Sequence, residues 1–203
     1  DSYAAQNRAV TREDYISVVY RMPGNFGRIK RATITRDHDS MKRNLNLYVV
    51  SESTGGLLTK TNTTIKNNLK VWVNRYKMLG DTIDILDAKI VNFGLTFPIV
   101  SQSGTNKYDV LSDAIESLKR YYTRTFDIGE PVAIMDAFQQ LKLTNGVLDV
   151  VDVQVVHKVG INYSDALFDV QKYLSPDGRY IVPPEDHIFE LKFPSVDVVG
   201  NVK

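Results

Sequence analysis

The chain of 203 residues is long enough to bury a substantial hydrophobic core. Apolar residues make up 43% and charged residues 24%, so we do not expect extensive disorder. Cysteine is absent, which excludes disulfides and thiolate metal sites. We expect neither a membrane-spanning helix nor a secretory leader, because no apolar run approaches the roughly 18 residues that a span needs. Since the first residue is Asp1 rather than Met, we expect a fragment of a longer protein.

The formal net charge is only +1, but the charges are unevenly distributed. Residues 1–44 hold nine Lys/Arg against five Asp/Glu, and residues 127–203 hold six against twelve. A basic beginning and an acidic end can orient a second copy or a partner. Chance variation in solvated surface charge would give the same pattern.

The first part of the chain predicts a helix and a β-hairpin. Thr11 and Asp14 have the approximate spacing of a capping box, and Met22-Pro23-Gly24 ends the helix. Residues 26–36 and 45–49 then alternate between apolar and polar side chains, with a turn at residues 37–40. This pattern indicates a hairpin with one solvent-exposed face.

Two strong helices flank a long extended segment at residues 90–100. The first helix is predicted from apolar residues at helical spacing before Gly80: Ile65, Leu69, Trp72, Tyr76 and Leu79. The second follows Asn106 and has the stripe Tyr108, Leu111, Ile115, Leu118 and Tyr122. In the extended segment, one face carries Val91, Phe93, Leu95 and Phe97. Pro98 places the end of that strand at a sheet edge.

A shorter helix is predicted to begin at Glu130-Pro131, with an apolar face made of Val132, Met135, Phe138 and Leu141. A strand is predicted over residues 147–157. The order α-β-β-α-β-α-α-β indicates an α+β fold, with a mainly antiparallel sheet and helices packed on it. We expect the core to include Trp72, Leu69, Ile115, Leu118 and Phe138.

The last residues have a different pattern. Strong breaks at residues 175–178 and at Pro183-Pro184 precede an alternating apolar stretch from His187 to Phe193, and no helix signal follows. One interpretation is an extended C-terminal arm that needs a neighbouring chain to bury it; the other is a last strand of the domain's own sheet. We therefore expect a domain at residues 1–160 and an extended segment at residues 161–203.

No residue pattern predicts catalysis. The three histidines, His38, His157 and His187, lack the i, i+4 spacing of a metal-ligand pair. Neither a phosphate loop nor a nucleophile elbow occurs. Two sets of carboxylates cannot converge locally in extended chain and are interpreted as solvated strand edges: Asp81, Asp84 and Asp87, and Asp149 with Asp152. We expect no enzyme activity, cofactor or metal.

The run Lys119–Arg124 mixes basic and aromatic residues, as nucleic-acid surfaces do. Because Tyr122 belongs to the apolar stripe, basic residues that complement the helix dipole are the better interpretation. A second basic set, Arg28, Lys30, Arg31 and Arg36, is either the solvent-exposed face of the hairpin or the positive half of a contact between subunits.

Several short runs, taken in order, resemble the baseplate J-like family of contractile phage tails. They are Arg8-Ala9-Val10-Thr11 with Asp14-Tyr15, Pro23-Gly24, Asp127–Val132, and Gly146-Val147 with Asp149-Val150. The resemblance covers about residues 1–160. The remaining tail is more similar to the baseplate wedge subunits of T-even-type phages, whose long N-terminal region is not in this chain.

This resemblance implies a structural, non-enzymatic late protein of the virion tail, assembled in the host cytoplasm. It implies self-association as a homodimer or ring, contacts with other wedge proteins, and an inner baseplate ring that rearranges during sheath contraction. It implies no cofactor and no catalytic residue, and we expect neither a nucleic-acid partner nor insertion into a membrane.

The candidate subunit interface joins apolar residues of the tail to two arginines of the hairpin: Phe189, Leu191, Phe193, Val196, Val198, Arg28 and Arg31. Two alternatives stay open. A hydrolase would depend on Asp81, Asp84, Asp149 and His157, and a nucleic-acid-binding module would depend on Arg120 and Arg124.

Overall fold

The computed structural model describes residues 8–39, 41 and 43–203. It has an α+β fold, as predicted, with helices packed on antiparallel and mixed sheets. The chain divides into two compact units, one ending at Ala88 and the other running from Lys89 to Lys203. This division lies far from residue 160. The turn predicted at residues 37–40 reaches Ser40, which is outside the described residues.

The N-terminal unit is built around one strand, β2. Its elements are α1 (Arg12–Tyr20), a 3-10 turn (Gly24–Phe26), β1 (Arg31–Arg36), β2 (Asn44–Glu52), β3 (Leu58–Thr59), α2 (Thr63–Asn74) and β4 (Thr82–Asp87). β2 pairs antiparallel with β1 and parallel with β4, and β3 pairs with its end. The path from β2 through α2 to β4 is therefore a crossover between parallel strands.

Local sequence signals account for α1 and β2. The capping box is present: the Asp14 N–H donates to Thr11 Oγ1 over 3.1 Å, and the Thr11 N–H donates to an Asp14 carboxylate oxygen over 2.9 Å. The predicted alternation along β2 is confirmed, because Leu45, Leu47 and Val49 are buried. They pack with the apolar faces of α1 and α2 in one core.

Two boundaries predicted in this unit are wrong. The strand expected from Phe26 begins only at Arg31, because a 3-10 turn and Gly27, with φ 114°, interrupt the extended chain. The helix expected to reach Leu79 ends at Asn74, and Leu79 is 88% exposed. Trp72 is only half-buried, but its indole N–H donates to the Val18 carbonyl of α1 over 2.8 Å.

The C-terminal unit is built around the long strand β5 (Lys89–Ser101). The other elements are α3 (Lys107–Tyr122), β6 (Val132–Ala133), α4 (Ile134–Lys142), β7 (Val147–Val150), β8 (Gln154–His157), α5 (Val170–Tyr173), β9 (Tyr180–Ile181), β10 (His187–Glu190), α6 (Pro194–Asp197) and β11 (Val198–Val202). Strands β10 and β11 follow one another along one side of β5, both parallel to it. β8 and β7 follow one another along its other side, both antiparallel.

At Pro98, β5 has β11 on one side and β7 and β8 on the other, so the prediction that Pro98 lies at a sheet edge is wrong. The predicted strand 147–157 is in fact the two strands β7 and β8, with residues 151–153 between them. Pro98 lies opposite this interruption, and its carbonyl accepts from the Val151 N–H over 3.1 Å. Because the nitrogen of a strand residue points to the same side as its carbonyl, the missing N–H faces the gap and removes no ladder bond.

The helices of this unit are rotated relative to the sequence prediction. The buried residues of α3 are Val110, Ala114, Leu118 and Tyr122. Tyr108 is 81% exposed, and Leu111 and Ile115 are half-buried. α4 begins at Ile134 rather than at Pro131, because Val132 and Ala133 pair with β9. Met135 is therefore exposed and Phe138 only half-buried.

The tail is part of the sheet. Four-residue β10 and five-residue β11 both pair with β5, and α6, which the sequence did not predict, connects them. The Phe189 ring packs edge-on against Phe93 at 5.9 Å between centroids, and Phe93 also meets Tyr122 and Phe126 edge-on. Of the two interpretations of the tail, the structure supports a continuation of the unit's own sheet over a separate arm.

Candidate functional site

The three aspartates interpreted as solvated strand edges are engaged in specific contacts. Asp81 is 2% exposed; it accepts a hydrogen bond from the Tyr15 hydroxyl and pairs with Arg43 Nε at 2.9 Å. Asp84 accepts from the Asn44 amide over 3.1 Å, and Asp87 pairs with Lys66 Nζ at 2.7 Å. Burial, followed by the bond to Asp81, raises the pKa of Tyr15 to about 12. These contacts hold α1 and the sheet of the N-terminal unit together.

The remaining hydrolase candidates lie in the C-terminal unit. Asp149 and Asp152 each accept a hydrogen bond from the backbone N–H of the following residue. His157 lies at the end of β8 with its ring edge-on to Phe168, and burial lowers its pKa. Among the residues that the structure describes, no group of three or more His, Cys, Asp or Glu side chains is arranged to hold a metal ion.

In the run Lys119–Arg124, both tyrosines and Arg124 are bound within the unit, whereas Arg120 is exposed. The Tyr122 hydroxyl donates to the Ala133 carbonyl over 2.6 Å, and the Tyr121 hydroxyl donates to Asp136. Arg124 pairs with Glu130 at 2.7 Å and lies over the Phe126 ring at 4.2 Å. Base stacking would need free aromatic faces, and the buried Tyr122 does not offer one.

The predicted interface residues fall into different environments. Phe189, Leu191 and Val198 are at most 4% exposed within their own unit, so a surface contact through them would require the unit to open. Val196 is 66% exposed, whereas Phe193 is half-buried with its ring edge-on to Tyr163. The hairpin arginines belong to the other unit: Arg28 is exposed, and Arg31 is half-buried with Nη1 donating to the Lys30 carbonyl. A role in subunit contact stays a prediction for all of them.

One face of the C-terminal sheet is covered by α3 and α4, and half of the opposite face is covered by residues 158–164 and α6. Asn92 anchors this cover: its side-chain oxygen accepts from the Ser164 N–H over 2.7 Å. The carboxylate of Asp197, on α6, accepts from the Tyr163 hydroxyl at 2.8 Å and lies 3.6 Å from Lys158 Nζ. α6 passes so close to β5 that a Cβ on Gly94 would lie 2.6 Å from the Asp197 carbonyl oxygen.

Beyond Gly94 the same sheet face is open. It is formed by alternate residues of β5, β8 and β11, which the strand register places side by side: Thr96, Pro98, Gln154, Val156, Val199 and Asn201. We call these residues the open sheet face. Val156 is 40% and Val199 51% exposed, and Val196 of α6 is also exposed. Sequence reasoning missed this surface because Val199 gained its neighbours through pairing with a strand about a hundred residues away.

Comparisons with known proteins give a likeness to a solved assembly. No family model matches the chain, and no curated protein matches it in sequence. In the cryo-EM structure of the anti-feeding prophage baseplate, symmetrised six-fold, one chain matches with a TM-score of 0.54 over 93% of this chain at 14% identity. The likeness is one of fold. This chain spans 38% of the length of that neighbour.

The described residues contain no helix long and apolar enough to cross a membrane.

Proposed function

We propose that the chain is a structural, non-enzymatic subunit of a contractile-tail baseplate. The observation that carries this proposal is the fold likeness to a chain of the anti-feeding prophage baseplate, which extends over 93% of the sequence and so includes both compact units. The short runs that resemble the baseplate J-like family support the same assignment. Neither line of support depends on the other, because one uses residues and the other uses backbone geometry.

The finer assignment is an inner wedge subunit similar to that of T-even-type phages. In this role the protein would be a late virion protein, assembled in the host cytoplasm, that self-associates and binds other wedge proteins in a ring that rearranges on sheath contraction. The open sheet face supports a role in assembly, because its exposed valines, Val156 and Val199, can be buried against a partner. The ion pairs made by the buried Asp81 and Asp197, together with the aromatic clusters, give both units fixed shapes on which such contacts can form.

Deletion of the gene from the genome that encodes the contractile particle, followed by complementation, tests this proposal. We expect the deletion to leave sheaths and tubes without complete baseplates, and the wild-type gene to restore them. A variant with Asp81→Asn and Asp149→Asn should also restore assembly if it folds, because neither carboxylate is assigned a catalytic role. Normal baseplates after deletion would contradict the proposal. A deletion whose only defect is the loss of an enzymatic activity would contradict it as well.

A further inference from the structure

Two stretches of the N-terminal unit contain basic residues and no acidic ones. Residues 15–36 and residues 53–80 each hold five Lys or Arg and no Asp or Glu. The first stretch includes the end of α1, and the second includes all of α2. Carboxylates from outside these stretches pair with two of their lysines, since Glu52 binds Lys30 and Asp87 binds Lys66. The arginines at the ends of the two helices have no such ion pair among the described residues.

These two helix ends lie together over a pair of aromatic rings. Arg21 is the C-cap of α1 and Arg75 is the C-cap of α2. The rings of Trp72 and Tyr76 are tilted against each other, with 5.1 Å between their centroids. Arg21 Cζ lies 5.8 Å from the Tyr76 centroid, and Arg75 Cζ lies 6.0 Å from the Trp72 centroid. Both distances fall within the range of cation–π attraction, so the rings hold the two guanidinium groups near one place.

The side chains of these arginines are exposed, and no hydrogen bond or ion pair joins either guanidinium to a described residue. A third exposed arginine, Arg28, has its Nε 3.7 Å from the position that a Cβ on Gly24 would take, in the 3-10 turn after α1. This turn is bound to α2, because the Asn68 amide donates to its last carbonyl over 3.0 Å. We call Arg21, Arg28 and Arg75 the arginine seam.

The arginine seam carries more positive charge than the two helix ends need. A helix places about half a negative charge at its C-terminus, so three arginines at two helix ends leave a net charge of about +2. A guanidinium is a planar fork of N–H donors that matches the two oxygens of a carboxylate. Because the rings already restrict the side chains, less conformational entropy is lost when such a group binds.

We propose that the arginine seam binds a carboxylate-rich segment of another protein. The choice of a protein as the partner rests on the proposed function, and two features support it over a nucleic acid. Guanidinium groups lie over the rings of Trp72 and Tyr76, and the Trp72 N–H is bound to the Val18 carbonyl, so the rings offer no platform for bases. The C-terminal unit holds eleven Lys/Arg against fifteen Asp/Glu, so the chain as a whole does not attract a polyanion.

Fluorescence anisotropy of a labelled peptide of about eight glutamates, titrated with the 203-residue chain at about 50 mM salt, tests the proposal under weak screening. A glutamine peptide and an oligothymidylate of the same length are the comparison probes. The emission of Trp72, followed with the unlabelled glutamate peptide, is a second readout because Arg75 lies over its ring.

Two double variants and one control locate the binding site. Arg21→Gln with Arg75→Gln removes the charges, whereas Arg21→Lys with Arg75→Lys keeps them and removes the forks. Lys70→Gln is the matched control, because Lys70 is an exposed basic residue of α2 that lies about 140° around the helix from Arg75. Far-UV circular dichroism confirms that each variant is folded.

We expect the wild type to bind the glutamate peptide, with a change in Trp72 emission, and Lys70→Gln to bind within about twofold of it. The glutamine double variant should bind at least about fivefold more weakly, and the lysine double variant should fall between them. A seam that only stabilises the two helix ends would give no binding of the glutamate peptide by any of these proteins.

Four results would overturn the proposal. They are no binding of the glutamate peptide, equal losses in Lys70→Gln and the glutamine double variant, tighter binding of the oligothymidylate, and a dimer in sedimentation velocity that the glutamine double variant abolishes. The third result would indicate a nucleic acid and the fourth a second copy. Restoration of baseplates by the glutamine double variant would overturn the seam as an assembly contact. The gene deletion tests the structural role separately, so either proposal can fail without the other.

Discussion

Replacement of Gly94 by alanine tests the close crossing of α6 over β5. A Cβ at this position would lie 2.6 Å from the Asp197 carbonyl oxygen, 3.0 Å from Lys158 Cε and 3.2 Å from Asp197 Cβ. The lysine carbon can move, but the carbonyl belongs to the backbone of α6. Overpacking of this kind costs about 1–3 kcal/mol, and the loss of glycine freedom in the unfolded chain returns about 0.4–1 kcal/mol. We expect Gly94→Ala to lower the free energy of unfolding by about 1–2 kcal/mol.

Urea unfolding followed by far-UV circular dichroism measures this change. Gly80→Ala is the matched control, because a Cβ there would meet no atom within 4 Å and Gly80 has no positive φ. The control should be unchanged or more stable by up to about 1 kcal/mol. If Gly94→Ala were as stable as Gly80→Ala, α6 would not lie against β5 as the structure has it, and the account of the covered half of the sheet face would be refuted.

Three further predictions concern the N-terminal unit, and urea unfolding followed by the fluorescence of Trp72, the chain's one tryptophan, measures each of them. Thr11→Ala removes the N-cap of α1 and should lower the free energy of unfolding by about 1 kcal/mol. An unchanged urea midpoint would mean that the capping box contributes nothing to stability. Leu69→Ala should lower the free energy of unfolding by about 2–5 kcal/mol, because Leu69 is fully buried. Leu79→Ala should change it by no more than about 0.5 kcal/mol, because Leu79 is 88% exposed. Equal losses in the two variants would contradict the helix boundary at Asn74. Folding raises the pKa of Tyr15 from 10.0 to about 12, so its contribution to stability is complete below pH 10 and is lost as the pH rises toward 12. Tyr15→Phe should flatten this decline, and an identical decline in wild type and variant would remove Tyr15 as its cause.

The parts of the fold that sequence predicted are those with local causes. The capping box of Thr11 and Asp14 needs only four consecutive residues, and the alternation of β2 follows from the two-residue period of a strand. The apolar face of β5 was likewise predicted correctly, since Phe93, Leu95 and Phe97 are buried. The order of the main helices and strands, and with it the α+β class, followed from such signals.

The parts that sequence missed depend on distant partners. Parallel pairing of β10 and β11 with β5 joins segments about a hundred residues apart, and a single strand carries no mark of its partner. The burial of Asp81 depends on Tyr15 and Arg43, which lie far from it in the sequence, so its spacing from Asp84 and Asp87 was misleading. The buried face of α3 was misplaced because Tyr108 and Leu111 look as apolar as the residues that pack.

The same limit applies to the candidate interface. Phe189, Leu191 and Val198 were selected because an apolar tail needs burial, and the structure provides that burial within the unit. What remains at the surface is the open sheet face, which no short motif encodes. Sequence analysis included the exposed Val196 of α6 but not Val199, which lies within this face.

The measurement that tests the central claim most directly is the position of this protein in purified contractile particles. Immunogold labelling with antibodies raised against the 203-residue chain, viewed by electron microscopy, would locate it. The account predicts gold particles at the baseplate end of the tail and none along the sheath. Label elsewhere on the particle, or a complete particle from which the protein is absent, would contradict the proposed function.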